Sequence, residues 1–411
     1  MTENPGLSKG PFDGLTVIDW THVLAGPFVG YQLALLGADV IRIERADGDD
    51  MIRAKATDPV LARLGLGEAF ITQGSGKRSV ALNMRDERAR RVMDALLAKA
   101  DVLVENFRPG KLARLGFEPA LLIERYPRLV VCSVTGFGQG SDKRAYDHVI
   151  QAASGLMATN AGSDGRPQRI GFPIVDYAVG QQAALAVSAA LLRRERDSTR
   201  QRGEWVQVSM MGAALALMAP AYATPWVSGV EPPRSSATAF SGNPLSGTFL
   251  ASDGYIAIVC NAADQSEALV KALATTTAST EEVQALGHAA REGDIDGTQR
   301  ILGAVLSRRS VADWVVVLTG VGVPVSSVNS PVEAARSVAG SWPVVTMQLP
   351  DGPRQTQVPG IGFESTEALT VGLTPPVRRG QHTREVLEQV GLDAGTVDSL
   401  FAEGVAVEPS V

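Results

Sequence analysis

The chain has 411 residues, 45% of them apolar and 20% charged, and its 38 basic and 44 acidic side chains give a net charge of −6. These values are typical of an ordinary globular chain long enough for two domains, and the acidic balance argues against nucleic acid as a general partner. Cys132 and Cys260 each stand inside an apolar, strand-like run, which predicts two core residues rather than a disulfide and fits a reducing compartment.

The N-terminal segment is polar and lacks the apolar core of a signal peptide. No stretch approaches the ~20 apolar residues that a membrane-spanning helix needs. We therefore expect a cytoplasmic protein that has no membrane partner.

The first predicted element is a βαβ unit, with a strand at residues 15–20, a turn at 23–27, a helix at 28–36 and a second strand at 38–44. Such units indicate a parallel sheet covered on both faces, and ligands bind at the carboxyl ends of its strands. The glycine fingerprint of a nicotinamide dehydrogenase is absent, because Gly26 is followed by Pro27. Glu44 alone is weak support for a dinucleotide site.

The βαβ pattern is repeated from residue 74 to residue 110, and residues 129–134 predict another buried strand. Many basic residues fall in this first part of the chain. They are interpreted either as solvated helix faces or as a local anion site on an acidic protein. The basic residues of this cluster are Arg42, Arg45, Arg53, Lys55, Arg63, Lys77, Arg78, Arg85, Arg88, Arg90, Arg91, Arg108, Lys111 and Arg114.

A single carboxylate, Asp176, stands between a short apolar segment and a long apolar run that ends on Arg193 and Arg194. The run is apolar nearly all round, which predicts a buried helix beginning just after Asp176. Asp176 is then either an ordinary N-cap or a functional carboxylate at a helix N-terminus, where the helix dipole favours the ionised form.

The composition changes near residue 220, and residues 223–249 are rich in proline, glycine and serine, which predicts a linker and a mobile loop. A smaller α+β domain follows, and the chain end predicts a return to the first domain. The predicted elements are a strand at 255–260, helices at 265–274, 280–292, 297–308 and 311–319, a strand at 344–349 and a helix at 383–390. The predicted divisions are a large domain at 1–205, a linker at 206–235, a small domain at 236–328, and a linker with the return to the large domain at 329–411.

Seven segments in chain order resemble those of the family III CoA-transferases, the CaiB/BaiF group that includes formyl-CoA transferase and carnitine CoA-transferase. They span essentially the whole chain. The segments are the βαβ opening through Ile-Glu-Arg at 43–45, the run at 77–82, Val-Glu-Asn-Phe-Arg-Pro-Gly at 104–110, Ala-Tyr-Asp at 145–147 with 151–152, the Asp176 segment, residues 243–249, and Gly-Gln-His-Thr at 380–383.

The resemblance implies an α/β fold with a Rossmann-like large domain built from both chain ends, a smaller α+β domain, and an interlocked, ring-like homodimer. In the family the carboxylate that matches Asp176 is the nucleophile. Its attack on an acyl-CoA thioester gives a mixed anhydride, and the released CoA thiolate then converts the anhydride into an aspartyl-CoA thioester. An acceptor acid repeats these steps in reverse.

The resemblance also implies where coenzyme A is bound as a substrate, with no tightly bound cofactor. Arg45 would flank the adenine, Arg85 and Arg114 would bind phosphate, and Gly242, Asn243 and Gly247 would form a lid over the intermediate. The four histidines are scattered without metal-ligand spacing, so no metal site is predicted. The further implied CoA contacts are Leu24, Ala25, Leu82, Asn106, Phe107, Arg144, Ala145, Tyr146 and Asp147.

Two other functions stay open at this point. An α-methylacyl-CoA racemase of the same superfamily would need a histidine where this chain has Tyr146, and a tyrosine hydroxyl is a poor proton shuttle near neutral pH. A catalytically silent CoA-binding protein is the second. Leu24 stands where formyl-CoA enzymes commonly have glutamine, and the glycine run of those enzymes is incomplete in this chain, which argues against formyl-CoA and oxalate as substrates. We expect succinyl-CoA as donor and a small carboxylic acid, such as a dicarboxylate, as acceptor.

Overall fold

The computed structural model describes residues 10–409 except 49, 163–164, 198, 200, 232–240, 338–343, 351 and 368–370. The chain divides into two compact units: Met1–Ser154, Gly171–Tyr222 and Gly340–Val411 form the first, and Gly155–Ile170 and Ala223–Ala339 the second. The division differs from the predicted boundary after residue 205, because residues 205–209 form a strand of the first unit. The predicted boundary after residue 235 lies outside the described residues.

Strands and helices alternate along much of the described chain. The strands are β1 (Thr16–Trp20), β2 (Asp39–Arg45), β3 (Lys77–Leu82), β4 (Val102–Glu105), β5 (Val130–Thr135), β6 (Trp205–Ser209), β7 (Gly247–Leu250), β8 (Tyr255–Ile258), β9 (Val325–Ser327), β10 (Val344–Gln348), β11 (Gln355–Pro359) and β12 (Ala406–Val407). The helices are α1 (Ala25–Leu35), α2 (Met51–Ala54), α3 (Pro59–Arg63), α4 (Glu68–Gly74), α5 (Glu87–Leu97), α6 (Lys111–Arg114), α7 (Pro119–Arg125), α8 (Asp147–Ala153), α9 (Leu156–Thr159), α10 (Ile174–Arg196), α11 (Met210–Leu217), α12 (Ala219–Ser228), α13 (Ala263–Thr276), α14 (Thr280–Arg291), α15 (Ile295–Leu306), α16 (Val311–Gly320), α17 (Pro331–Ser337), α18 (Thr383–Gln389) and α19 (Ala394–Ala402).

A seven-stranded sheet organises the first unit, in the order β12-β3-β2-β1-β4-β5-β6. All neighbours are parallel except β12, which pairs antiparallel with β3. The mixed α/β fold with a mainly parallel sheet is as predicted. The order reverses between β1 and β4, and in doubly wound sheets ligands bind in the crevice at such a switch point. The loops that follow Trp20 and Glu105 lie at this crevice.

Helices cover both faces of the sheet, which explains why its strands are continuous apolar runs. On one face, α5, α7, α18 and α19 join Ile18, Leu103 and Val131 in one hydrophobic core. α5 is amphipathic because Ala89, Val92, Met93 and Leu96 recur at helical spacing on its buried side. α1 and α10 cover the other face and pack against each other. Both cysteines are free and buried, which confirms their prediction as core residues.

α1 begins at Ala25, three residues earlier than predicted. Pro27 lies in its first turn, where the N–H that proline lacks would have no helical partner. The predicted turn at 23–27 is therefore shorter, and the helix starts only two residues after Val23.

α10 is 23 residues long, and by length and composition it could cross a membrane, as could α11 and α12 if counted as one span. The expectation that no stretch reaches this length is therefore wrong for the described residues. Gln181, Gln182 and Ser188 interrupt the apolar run and hid its length. α10 packs against α1, β5 and β6, as the core helix of a globular sheet does.

The second unit contains the antiparallel sheet β7-β8-β9 and the helices α13 to α17. The four helices predicted between residues 265 and 319 are confirmed, with ends within two residues of the predicted ones. Their core surrounds the buried Trp314, whose Nε1 donates to Leu306 O at 2.7 Å.

The C-terminal segment completes the edge of the large sheet. Gly380 N donates to Ser79 Oγ at 2.7 Å, and His382 N donates to Ser79 O at 2.9 Å. Gly380 has φ of 72°, and a Cβ built on it would lie 2.3 Å from Val407 O and 3.1 Å from Ala81 Cβ. Both the backbone conformation and the space therefore require glycine at this position.

Gly380→Ala is expected to lower the free energy of unfolding by about 2–4 kcal/mol, because left-handed strain and displacement of β12 add together. Gly116→Ala is the matched control: Gly116 has φ of 94°, but a Cβ there would meet no atom within 4 Å. It should cost only the strain, about 1–2 kcal/mol. Denaturant unfolding of both variants checks this, and equal losses would contradict the packing argument.

Candidate active site

The candidate active site begins where β1 and β4 end, at the reversal of the sheet order. Two loops leave these strands, one running from Thr21 into α1 and one from Asn106 into α6. Asn106 Oδ1 accepts a hydrogen bond from His22 N at 3.0 Å, and its Nδ2 donates to His22 O at 2.8 Å. The Asn106 side chain therefore holds the two loops together.

Val23 has a backbone conformation that is rare for a β-branched residue, with φ of 63°. Its N–H donates to Asp50 Oδ2 at 2.8 Å, and Arg42 Nη2 donates to the same oxygen at 2.8 Å. Strained residues persist only where surrounding contacts hold them, and they cluster at functional sites. The Asp50 carboxylate is the contact that holds this turn.

A first cavity of 630 Å³ lies at the carboxyl ends of β1, β2 and β3. Its lining includes the buried Leu82 and the side chains of Arg45 and Arg85, which are 72% and 84% exposed. Both guanidinium groups lie near one carboxylate: Arg45 Nε is 2.9 Å and Arg85 Nη1 is 3.8 Å from an oxygen of Asp47.

A second cavity of 480 Å³ lies at the carboxyl ends of β4 and β5 and contains Asp176 in its lining. It brings together residues that are far apart in the sequence, from the β1–α1 loop, the β4–α6 loop, the segment before α8 and the first turn of α10. The predicted site residues that line it are Leu24, Ala25, Asn106, Phe107, Arg114, Arg144, Ala145, Tyr146 and Asp176.

The two cavities adjoin where their linings share residues. Phe107 is one of these shared residues: its ring stacks on His22 at 5.8 Å between centroids and meets Trp20 edge-on at 5.2 Å. Lys111 Nζ lies 4.9 Å from the centroid of the same ring. Together the cavities make one cleft that leads from the arginine pair at Asp47 to Asp176. The residues common to both linings are His22, Val23, Phe107, Lys111 and Tyr146.

The charges in the two cavities are balanced differently. In the first cavity, Arg42, Arg45 and Arg85 each have a carboxylate within 4 Å. The cations of the second cavity have no ion-pair partner within the described part of the chain, and Asp176 is the one carboxylate in its lining. The second cavity is therefore strongly positive and suited to anionic ligands. Its cations are Arg108, Lys111, Arg114, Lys143 and Arg144.

Asp176 is the third residue of α10, so the prediction that the helix begins after it is wrong. Pro173 occupies the N-cap position and makes no side-chain cap bond. The acceptor comes instead from Asp147, 28 residues upstream, whose Oδ2 accepts from Val175 N at 2.8 Å. Because this acceptor is distant in sequence, no local pattern marks the true start of the helix.

Burial and the negative charge of Asp147 raise the pKa of Asp176 to about 7. The helix N-terminus was expected to favour the ionised form, but these two effects outweigh it. Asp176 is only partly buried, and its carboxylate has no hydrogen-bond partner among the residues that the structure describes. A carboxylate without hydrogen-bond donors in a partly dehydrated cavity is a stronger nucleophile than a solvated one.

Most of the predicted CoA contacts line the cleft, and their roles remain predictions. Asp147 differs: its side chain is buried behind Asp176, where Oδ1 accepts from Gln151 Nε2 at 2.6 Å and Oδ2 holds the start of α10. The predicted lid residues belong to the second unit. There Asn243 Nδ2 donates to Ser266 Oγ at 3.0 Å, and Gly247 begins β7.

Sequence reasoning did not single out several residues that line the cleft. Lys111 was one of fourteen residues in the basic cluster, and its place one turn before Arg114 in a segment that follows a strand end was the available signal. His22 stands two residues after the end of the first strand, which was a similar signal. Other cleft residues that were not singled out include Asp47, Asp50, Met84, Lys143 and Met210.

The chain is also similar to proteins that are already known. Residues 12–383 match the family model described as CoA-transferase family III. The chain is 30% identical over 404 residues to the succinyl-CoA:glutarate CoA-transferase of Mus musculus, covering 97% of this chain and 91% of that protein. It is 36% identical over 341 residues to the acetyl-CoA:oxalate CoA-transferase of Acetobacter aceti, covering 82% and 85%. A solved CAIB/BAIF family protein from Brucella suis superposes with a TM-score of 0.78 at 25% identity, covering 93% of this chain and 100% of that one.

Proposed function

Because the chain belongs to CoA-transferase family III, we propose that it moves CoA from an acyl-CoA thioester to a small carboxylic acid through intermediates on Asp176. The observation that supports this proposal is the cleft that joins an arginine-rimmed cavity to an unpaired carboxylate. We propose that the nucleotide part of CoA binds in the first cavity and that the thioester lies beside Asp176 in the second.

The reaction proceeds by two successive acyl substitutions, with Asp176 as the nucleophile in the first and as the acyl group attacked in the second. Asp176 attacks the thioester carbonyl, the C–S bond breaks, and CoA leaves as a thiolate while a mixed anhydride forms. The thiolate then attacks the Asp176 carbonyl carbon, which releases the donor as a free carboxylate and leaves an aspartyl-CoA thioester. The acceptor carboxylate reverses both steps, so that Asp176 is regenerated with no net gain or loss of protons.

The cleft residues divide the binding of CoA between them. Arg45 is proposed to stack against the adenine beside Leu82, since a planar guanidinium suits that contact. Arg85 and Arg114 bind phosphate groups, and Arg144 to Tyr146 lie along the pantetheine arm. This assignment is supported by the order of these residues along the two cavities.

We propose succinyl-CoA as the donor and a small dicarboxylate as the acceptor. Two relatives are named for succinyl-CoA with glutarate and for acetyl-CoA with oxalate, both of which include dicarboxylates. The proposal is also supported by the excess of cations in the second cavity, because a second carboxylate on the acid needs a positive partner.

We further propose that the chain acts as a cytoplasmic, interlocked homodimer, with both chain ends in the large domain and with Gly242, Asn243 and Gly247 closing over the intermediate. The dimer is supported by Leu185 and Leu192 on α10, large apolar side chains that are 65% and 53% exposed on the side of the helix away from its buried residues.

The activity is tested by incubating the protein with succinyl-CoA and a panel of carboxylic acids, and by following the products by mass spectrometry. Appearance of CoA on a second acid is the expected result. Epimerisation of a 2-methylacyl-CoA without an acceptor acid would indicate a racemase instead. Binding of CoA with no turnover of any pair would contradict the proposed function.

The pKa of Asp176 predicts the pH dependence of the reaction. A raised carboxyl pKa means that the nucleophile is protonated below about pH 7, so kcat/KM should fall tenfold per pH unit below this value and level off above it. His22 does not account for this limb, because burial lowers its pKa from 6.5. In Asp147→Asn the neighbouring negative charge is removed, and the limb should move to lower pH. An unchanged limb in this variant would contradict the assigned cause.

A further inference from the structure

Lys111 is the one lysine or arginine that lines both cavities among the described residues. It begins α6, directly after the loop that carries Asn106 and Phe107, and its side chain is exposed. The Nζ atom lies 4.9 Å from the centroid of the Phe107 ring. The ammonium group therefore sits at the junction between the two halves of the cleft.

The covalent order of CoA determines which of its groups crosses this junction. The molecule runs from an adenosine with a 3′-phosphate, through a 5′-pyrophosphate, to the pantetheine arm and the sulfur. If the adenosine lies by Arg45 and Leu82 in the first cavity and the thioester reaches Asp176 in the second, the pyrophosphate lies between them. The junction is lined by His22, Val23, Phe107, Lys111 and Tyr146, of which Lys111 is the permanent cation.

The charge of Lys111 is also not neutralised by a carboxylate among the described residues. The described residues provide no carboxylate within 4 Å of it, whereas Arg45 and Arg85 share Asp47 in the first cavity. A charge that is already neutralised contributes less to binding an anion than one that is not, because the existing ion pair must be weakened first. Cation–π contact with Phe107 holds the ammonium group over the cleft without cancelling its charge.

We infer that Lys111 binds the pyrophosphate of CoA at the junction of the two cavities, while Arg85 in the first cavity binds the 3′-phosphate. This inference rests on the proposed function and adds a binding residue to it. The pyrophosphate and the 3′-phosphate are thereby assigned to different side chains, which the sequence of the basic cluster did not distinguish.

The test uses two ligands, CoA and dephospho-CoA, which lacks only the 3′-phosphate, with affinities measured by isothermal titration calorimetry on the full chain. Lys111→Met removes the charge and keeps an unbranched stem on Phe107. Arg85→Met is the comparison variant for the 3′-phosphate. Lys99→Met is the charge control, because Lys99 precedes β4 at the opposite, amino-terminal edge of the sheet and donates to Gln389 O.

Lys111→Met should weaken the binding of both ligands about tenfold, since each ligand retains the pyrophosphate and loses one charge-assisted contact. Arg85→Met should weaken CoA by more than dephospho-CoA, and Lys99→Met should change neither by more than about twofold. If Lys111→Met weakens the binding of CoA but not that of dephospho-CoA, Lys111 contacts the 3′-phosphate, and the inference is overturned. No loss with either ligand would also overturn it. If the native chain binds neither ligand, the proposed function fails as well, which is a different outcome from native binding that Lys111→Met leaves unchanged.

Discussion

Replacement of Asp176 by asparagine is expected to lower kcat for CoA transfer by at least about 10³-fold. The amide has nearly the same shape as the carboxylate but cannot form the anhydride, so both covalent intermediates are lost together. Asp176→Ala should have the same effect and cannot revert by deamidation. Initial rates of transfer from succinyl-CoA to a dicarboxylate, measured for both variants beside the native chain, provide the test.

The same substitutions should leave folding and CoA binding intact. Burial and Asp147 disfavour the ionised form of Asp176 in the folded state, so above pH 7 its charge works against stability. Asp176→Asn should therefore keep or raise the thermal midpoint at pH 8, and CoA should bind to it with little change. A variant that retains a tenth of native turnover would remove Asp176 as the nucleophile.

Replacement of Arg53 by methionine is expected to have the largest effect on stability, a loss of about 3–5 kcal/mol. Arg53 is fully buried, and its Nε and Nη2 donate to the two oxygens of Glu44 at 2.7 and 2.6 Å. Its Nη1 donates to Gly65 O at 3.1 Å and Val377 O at 3.0 Å, and its guanidinium lies 3.6 Å from the centre of the Phe70 ring. The substitution leaves a buried carboxylate without its main cation and removes one hydrogen bond to the C-terminal segment.

The direction in which the stability loss of Arg53→Met changes with pH tests whether the Arg53–Glu44 pair is its cause. Burial alone would raise the pKa of Glu44, but the charge and hydrogen bonds of Arg53 outweigh it and lower the pKa to about 2. The stability that this pair contributes is present above pH 4.5 and is lost as the pH falls towards 2. The difference between native chain and Arg53→Met should therefore shrink across that window.

Arg45→Met is the matched control for Arg53→Met. Arg45, the last residue of β2, also has a carboxylate at 2.9 Å, but its side chain is 72% exposed, and surface pairs contribute ~0–1 kcal/mol. Denaturant unfolding of the three proteins at pH 7 measures the two losses. Values within about 1 kcal/mol of each other would contradict the importance of the buried pair.

The apolar runs at 15–20, 38–44 and 129–134 were sufficient to predict parallel strands and a site at their carboxyl ends. Strand order was not predictable from these runs, because it depends on which strands pair across long crossovers. The start of α1 was placed too late, since Pro27 resembles a turn residue although it fits the first turn of a helix.

At the candidate site, the place of Asp176 near the start of a long helix could be anticipated from the sequence, but its surroundings could not. Its cap and its raised pKa both depend on Asp147, a residue of another helix that only the fold brings near. Lys111 illustrates the same limit. Among fourteen clustered basic residues, sequence spacing does not reveal which one stands between two cavities and has no carboxylate partner among the residues that the structure describes.

The measurement that decides the proposed mechanism is the mass of the protein after incubation with succinyl-CoA in the absence of an acceptor acid. The mechanism predicts an increase equal to CoA less one water, located on Asp176 by peptide mapping and converted to a hydroxamate by hydroxylamine. No adduct on the native chain, or the same adduct on Asp176→Ala, would contradict it.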